Sequence, residues 1–398
     1  MEIMTGHTCD SCSFNGTLLE VVQHNRKVHV SDKTDATSCC ICSGRVLSCN
    51  LRRHIRNCHP DDCAVRCYIC SEPFVEDKDM RNHVRCGCLN FLDHCRPDDV
   101  NKYISKHLQT DAAYRSECSD VVDRVDTFFE DCEGFTLDRF IQGGSIGKGT
   151  VIKSKSDIDC VMFTSNLPSI DSPDYSRQLQ FSLEWVEDKL KESRLSIAYN
   201  LEVLGRTSHA VKLRVKTKKK GHESHDVDLL LATDLLGECP TQDKKKKVYT
   251  MMGRMSRSAR ENCSAALVEL QVAFVKKQPA EVKNLIRLVK MWKASCVWEP
   301  SLTSYPLELL CIHTWRPHMS VADAFEAVLR KLSDYRSIYT YWSDNYTAVI
   351  DHEEMLSKRP LILDPANPYN NVADRCRDWD AVVEAAEETL QKPFFSRY

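Results

Sequence analysis

One spacing recurs three times along residues 1–95 and sets most of what that stretch can become. Cys9-x2-Cys12-x11-His24-x4-His29 is followed by Cys39-x2-Cys42-x11-His54-x4-His59. Then comes Cys67-x2-Cys70-x12-His83-x4-Cys88. Two thiolates on a hairpin knuckle and two ligands one helical turn apart close a tetrahedron around Zn²⁺. A module of ~25 residues has too little core to fold alone, so metal binding supplies the folding free energy. Val21, Leu51 and Met80 each stand three residues before the first ligand histidine, where a ββα module needs its core. Phe74 adds an aromatic to the third module. Cys58 is an alternative to His59, and Cys86 to Cys88, although His83-x2-Cys86 is short for a helix.

Of the chain's 21 cysteines, thirteen lie in this stretch, and the other eight are scattered like small apolar residues. The opening MEIMTGHTCDSC holds no apolar stretch, so no signal peptide is expected. No apolar run approaches the ~18–20 residues of a membrane span. The chain is therefore expected in the reducing cytosol or the nucleus, where clustered thiols bind metal rather than pair as disulfides. At 42% hydrophobic and 28% charged residues, disorder throughout and a fibrous fold are excluded.

Base-reading positions of such fingers are −1, 3 and 6 of the helix. Here they are Thr17, Glu20 and Gln23, then Leu47, Asn50 and Arg53, then Glu76, Asp79 and Asn82. Acidic and apolar side chains suit phosphate and guanine badly. A protein, the shape of an RNA, or a purely structural role fits the fingers better than a DNA sequence. The net charge of −3 adds no global attraction to nucleic acid, so any such binding uses local patches.

A different chemistry begins at residues 140–163, FIQGGSIGKGTVIKSKSDIDCVMF. Asp157 and Asp159 precede an apolar strand and, by alternation, share one face. Paired carboxylates there can bridge two Mg²⁺ ions ~3.5–4 Å apart. Gly143 and Gly144 let the backbone approach a phosphate, and the Ser145 hydroxyl can hold its oxygens. Residues 211–216, VKLRVK, alternate as a half-buried strand, and DVDLLLATDLLG returns after a polar turn. That hairpin can set a third acid beside the pair, Asp228 or its rival Asp226.

With DVDLLLATDLLG, LVELQVAFVKKQPAEVKNLIRLVKMW, YPLELLCIHTW and RPLILDPANPYNNVA, the glycine-rich motif resembles the 2′-5′-oligoadenylate synthetases from about Arg96 to Pro393. The resemblance implies an α+β, polymerase-beta-like bilobal nucleotidyltransferase fold, with a mixed sheet and a helical C-terminal lobe. The expected divisions are fingers over 1–95, a catalytic lobe over 96–275 and a helical lobe over 276–398. It implies Asp157, Asp159 and Asp228 as ligands of two Mg²⁺ ions and as catalytic acids. It implies Gly144 and Ser145 at the donor triphosphate, Arg287 and Lys290 as phosphate-binding groups, and Tyr305 as the aromatic that stacks on a base. ATP is the implied substrate and double-stranded RNA the implied activator. Lys276, Lys277, Lys283, Lys153, Lys155 and the run Lys244–Lys247 could meet that RNA.

The chain departs from the family's pattern at Ser304, where glutamine is usual, and at Leu231, where proline is usual. Val272 and Glu281 stand where basic residues are typical. A cyclic dinucleotide synthase, a terminal RNA nucleotidyltransferase and a zinc-finger adaptor with an inert core are the competing readings. The intact acids argue against the last. The motifs RLVKMW and ILDPANP argue against the terminal transferase.

Overall fold

The computed structural model describes residues 95–395 apart from 153–156, 193–197, 199, 217–223, 297–301 and 347–352. Before them it describes 7–8, 13, 15–16, 21, 24, 36–39, 41–42, 45–47, 51–59, 65–66, 73–74 and 92. The chain divides into two compact units between His94 and Cys95.

In the first unit, three antiparallel strand pairs bracket, in sequence, the three Cys-x2-Cys pairs. They are His7–Thr8 with Asn15–Gly16, Ala36–Ser38 with Arg45–Leu47, and Val65–Arg66 with Pro73–Phe74. The helix Leu51–Cys58 follows the second pair. Leu51, Ile55, Val21 and Phe74 are buried, as the spacing argument asks of Leu51, Val21 and Phe74. Met80 lies outside the described residues.

The second unit is built on a five-stranded mixed sheet. Its strands are β1 (Leu137–Gln142), β2 (Ile158–Thr164), β3 (Asn200–Arg206), β4 (Ala210–Lys216) and β5 (His225–Ala232). The order across the sheet is β1-β2-β5-β4-β3, with β2 and β5 parallel and the other neighbours antiparallel. Alternation decides which face each residue takes. In β5, Val227, Leu229 and Leu231 are buried while Asp226 and Asp228 face the other way. In β4, Val211, Leu213 and Val215 are buried, and Lys212 and Arg214 lie on the polar face. The apolar side packs with the helices Ala112–Glu130 and Tyr175–Glu192, through Val121, Val125, Phe129, Leu179, Leu183 and Val186.

Helices Ala280–Cys296, Ser304–Thr314, Val321–Ser333 and Trp379–Leu390 pack on one another in the C-terminal part. The spacing of Val282, Leu285, Ile286, Val289 and Trp292 predicts a buried helical stripe, and all five are buried. Trp292 donates its indole N–H to Thr389 Oγ1 at 2.8 Å, tying the first of these helices to the last. Asp378 caps that last helix, accepting from the Ala381 N–H. Lys244–Lys247 sit on a helix, Gln242–Arg254, capped by Thr241. Among the described residues, no helix is long and apolar enough to cross a membrane.

Candidate active site

Register brings the acids together. Asp228 of β5 lies directly opposite Asp159 of β2 in the parallel pair. Asp157 precedes β2 by one residue on the same face. Burial, then the charges of Asp228 and Asp157, push the Asp159 carboxyl up to about 6, against the partly opposing charges of Lys148 and Lys290. A half-buried carboxylate beside two others and short of countercharge suits a hard divalent cation. Three carboxylates are the donor set for such an ion. Asp226 is the lesser candidate by register, because it pairs with no residue of β2; Arg214 holds it, with Nε to Oδ1 at 2.7 Å and Nη2 to Oδ2 at 3.1 Å.

The Gly-Gly-Ser turn packs against this cluster for a reason that differs from the expectation. Gly143 N–H donates to the Asp159 carbonyl at 2.7 Å. Gly144 takes φ +54°, and a Cβ there would collide with the Asp159 carboxylate. The glycine is thus required by the acid before any phosphate is considered. Ser145 lines a cavity of about 690 Å³ together with Gly144, Asp157, Asp159, Lys290 and Tyr305.

The basic wall of that cavity contains the expected Lys290 and, beside it, Lys148, Thr150 and Glu308, which motif reading missed. Lys148 and Lys290 are both buried, and both pair with Glu308, which is itself buried. Lys148 Nζ lies 3.0 Å from Glu308 Oε2. Thr150 Oγ1 donates to Glu308 Oε1 at 3.3 Å and accepts from Lys290 Nζ at 3.1 Å. Burial would raise the Glu308 carboxyl, but the charges and hydrogen bonds of Lys148 and Lys290 outweigh it and bring it down to about 2. One signal was present in the sequence: an acid inside the apolar run Leu307-Glu308-Leu309-Leu310 has to be paired when that helix is buried. Lys293 also lines the cavity and is buried.

The structure does not bring Arg287 to the cavity. Its guanidinium donates to the carbonyls of Gly149 at 2.7 Å and Val151 at 3.1 Å, and to Asn284 Oδ1 at 3.0 Å. Arg287 therefore braces the loop after the Gly-Gly-Ser turn, while Lys290, one turn on, reaches the site. Tyr305 lines the cavity, but Lys148 Nζ sits over its ring, 4.0 Å from the centroid. The Tyr305 hydroxyl donates to Asp364 Oδ1 at 3.1 Å. Asp364, from the ILDPANP motif, also accepts from Gln271 Nε2 and the Ala366 N–H, so that motif builds a buried hub behind the aromatic.

In the first unit, donor atoms of Cys39, Cys42, His54 and His59 all lie within 4.8 Å of one another, with Cys42 Sγ 3.3 Å from His54 Nε2. The structure favours His59 over Cys58, which is exposed and outside the set. Two thiols and two imidazoles so placed fit a tetrahedral metal site. Cys9, Cys12, His29, Cys67, Cys70, His83 and Cys88 lie outside the described residues, and His24 is described without that set. Lys153 and Lys155 also lie outside them.

Residues 242–398 match the family described as 2′-5′-oligoadenylate synthetase 1, domain 2, C-terminus. Mouse 2′-5′-oligoadenylate synthase-like protein 2 is 32% identical over 333 residues, covering 74% of this chain and 64% of that protein. Mouse 2′-5′-oligoadenylate synthase 1A is 28% identical over 324 residues, covering 74% of this chain and 88% of that protein. In sequence the chain is similar to the 2′-5′-oligoadenylate synthases. The chain spans less than two thirds of the first of these relatives. Among solved structures, the E. coli MS115-1 CdnC:HORMA-deltaN complex matches with a TM-score of 0.52 at 21% identity, over 74% of this chain and 89% of that one. CdnC with ATP from the same strain matches with a TM-score of 0.51 at 21% identity, over 76% and 98%. These two share the nucleotidyltransferase fold of this chain.

Proposed function

We propose that this protein joins ATP into 2′-5′-linked oligoadenylates, without a template, in response to double-stranded RNA and as part of antiviral innate immunity. The observation that carries the reading is the in-register pair Asp159 and Asp228 with Asp157 beside them, of which Asp157 and Asp159 line a cavity walled by the Gly-Gly-Ser turn and by Lys148 and Lys290. Asp157, Asp159 and Asp228 would hold two Mg²⁺ ions, which supply polarisation of the α-phosphate and stabilisation of the leaving pyrophosphate. Ser145 and the Gly144 backbone hold the donor triphosphate against Lys290. Asp228 helps take the proton from the attacking ribose hydroxyl. Tyr305 orients the donor base. Arg287 contributes by fixing the loop on which Thr150 meets Lys290 and Glu308. The residues mainly position and neutralise, as phosphoryl transfer requires.

Zn²⁺ folds the three N-terminal modules, and their partner is a protein or an RNA. Ser304 supports a second reading: it lines the cavity where the family usually carries glutamine, which leaves room for a cyclic dinucleotide as product. Incubation with each labelled nucleoside triphosphate, Mg²⁺ and either duplex RNA or duplex DNA separates the readings. Nuclease P1 digestion then assigns linkage. An RNA-dependent, P1-resistant ladder from ATP alone is expected. A single product needing two different nucleotides would favour the cyclic reading, and no product from any nucleotide would favour the adaptor.

A further inference from the structure

A base stands across from the third acid. In the antiparallel pair of β4 and β5, Lys212 lies opposite Asp228, so Asp159, Asp228 and Lys212 form one row across three neighbouring strands. Lys212 Nζ donates to both carboxylate oxygens of Asp228, at 3.2 Å to Oδ1 and 3.0 Å to Oδ2. The next row repeats the arrangement with Arg214 and Asp226. Among the described residues, the acids do not converge as the cysteine and histidine set does. That set alone brings three or more ligand-type donors within 4.8 Å of one another. The triad is in register but not closed, and the ammonium holds its third member.

We propose that Lys212 is a resident competitor of the divalent metal at Asp228, and so sets how strongly the triad binds metal before nucleotide arrives. The proposal rests on the reading of Asp157, Asp159 and Asp228 as metal ligands. The ammonium and a divalent ion want the same carboxylate lone pairs, and their charges repel at such range. One has to leave for the other to bind. Lys212 can leave: its side chain is 43% exposed, against 23% for Asp228, and its stem reaches solvent. Lys148 and Lys290 cannot play this part, because both are buried and already paired with Glu308. Metal then fills the Asp228 position mainly in company with a nucleoside triphosphate, whose own phosphates contribute to holding the ion. Lys212 is a positioning residue in this account, acting through Asp228.

The test is Mn²⁺ binding to the whole protein without nucleotide, followed by electron paramagnetic resonance, after the zinc sites are filled. Lys212→Met should bind Mn²⁺ roughly two- to fivefold more tightly than the natural protein, the range a partly exposed ion pair supports. Lys212→Arg keeps the charge and should stay near the natural value. A role confined to holding the strands together would instead leave affinity unchanged or lower it. Equal or weaker binding by Lys212→Met, or tighter binding by Lys212→Arg as well, overturns the proposal. Lys212→Gln serves in place of Lys212→Met if thermal melting shows the latter unfolded. Asp228→Asn separates the two layers. If it binds Mn²⁺ like the natural protein, the metal reading of the triad itself falls. If it loses Mn²⁺ while Lys212→Met changes nothing, only the competitor falls.

Discussion

The two ligand sets in this chain meet opposite requirements. Cys39, Cys42, His54 and His59 are already drawn to within 4.8 Å, with sulfur and nitrogen donors and no cation among them. Asp157, Asp159 and Asp228 offer only oxygen, and one of them is held by an ammonium. A structural ion must be bound continuously, so its site can be closed and preformed. A catalytic ion must arrive with substrate and share its coordination, so its site gains from being open and contested. The difference also lies in how each set is encoded. The zinc-type ligands sit within twenty-one residues of one another in sequence, whereas Asp159 and Asp228 meet only because a parallel strand pair brings them into register.

The largest effect expected is on the open set. Asp157→Asn or Asp159→Asn removes one charge from a shared metal pair and should abolish nucleotide synthesis while circular dichroism stays unchanged. Each tenfold in rate is ~1.4 kcal/mol of barrier. Retention of more than about a tenth of activity would therefore mean that these acids hold no essential ion.

Next comes the wall behind them. Glu308→Gln leaves Lys148 and Lys290 buried without their carboxylate, and breaking such a pairing costs on the order of 3 kcal/mol. Thermal melting and urea titration read that loss directly. The pH dependence has a defined sign. The Glu308 carboxyl is held down to about 2 from an ordinary 4.5. Its contribution is thus complete above pH 4.5 and is lost as pH falls from there toward 2. Acid unfolding of the natural protein should steepen in that window, and Glu308→Gln should lack that component. Identical acid curves would show that the three groups are not charged as paired.

Much of this site was legible in the sequence, and the reasons for the rest are physical. Asp157 and Asp159 follow from alternation, because strand periodicity is local, whereas the hairpin alone left Asp228 and Asp226 as rivals and the family resemblance implied Asp228. Arg287 and Lys290 look alike at i, i+3 on a helix, yet one braces a loop and the other faces the cavity. Only the packing of residues 149–151 against that helix separates them. Glu308 shows as a charge inside an apolar helix, but its partners sit on other elements, Lys290 on the preceding helix and Lys148 160 positions away. Lys212 reads as one more base on a polar face until the register of β4 and β5 is known. Gly144 was legible as a glycine needed by the turn. What it needs room for, the Asp159 carboxylate, was not.

The closed set is sharpened by a ligand exchange. Cys39→Ser or His54→Asn should remove one equivalent of zinc per chain, measured by metal release to a chromophoric chelator, whereas Cys58→Ser should remove none. Deleting residues 1–92 should leave basal nucleotide synthesis detectable, since no cysteine or histidine of the fingers is assigned to the reaction. A folded truncation without any synthesis would make the first unit part of the catalytic device and erase the contrast between the two sets.

The smallest effect expected concerns what opens the contested site. Lys276 and Lys277 are exposed at the end of the helix Val268–Lys276, just before the helix that carries Arg287 and Lys290. Lys283, on that second helix, donates to the Lys276 carbonyl at 2.6 Å, so its ammonium is partly engaged in holding the turn. The two exposed lysines are therefore the ones to reverse. Changing both to Glu should weaken activation by a few-fold for every duplex RNA alike, because phosphate contacts carry no sequence information. It should also flatten the salt dependence, since fewer counterions are released on binding. Basal Mg²⁺-dependent turnover should change much less, because neither lysine lines the cavity that holds Lys290 and Tyr305. Activity titrated against duplex length and salt for both proteins reads all three quantities. An unchanged response would move RNA sensing away from this turn. The fingers, or the helix that carries Lys244–Lys247, would then be the next surfaces to reverse.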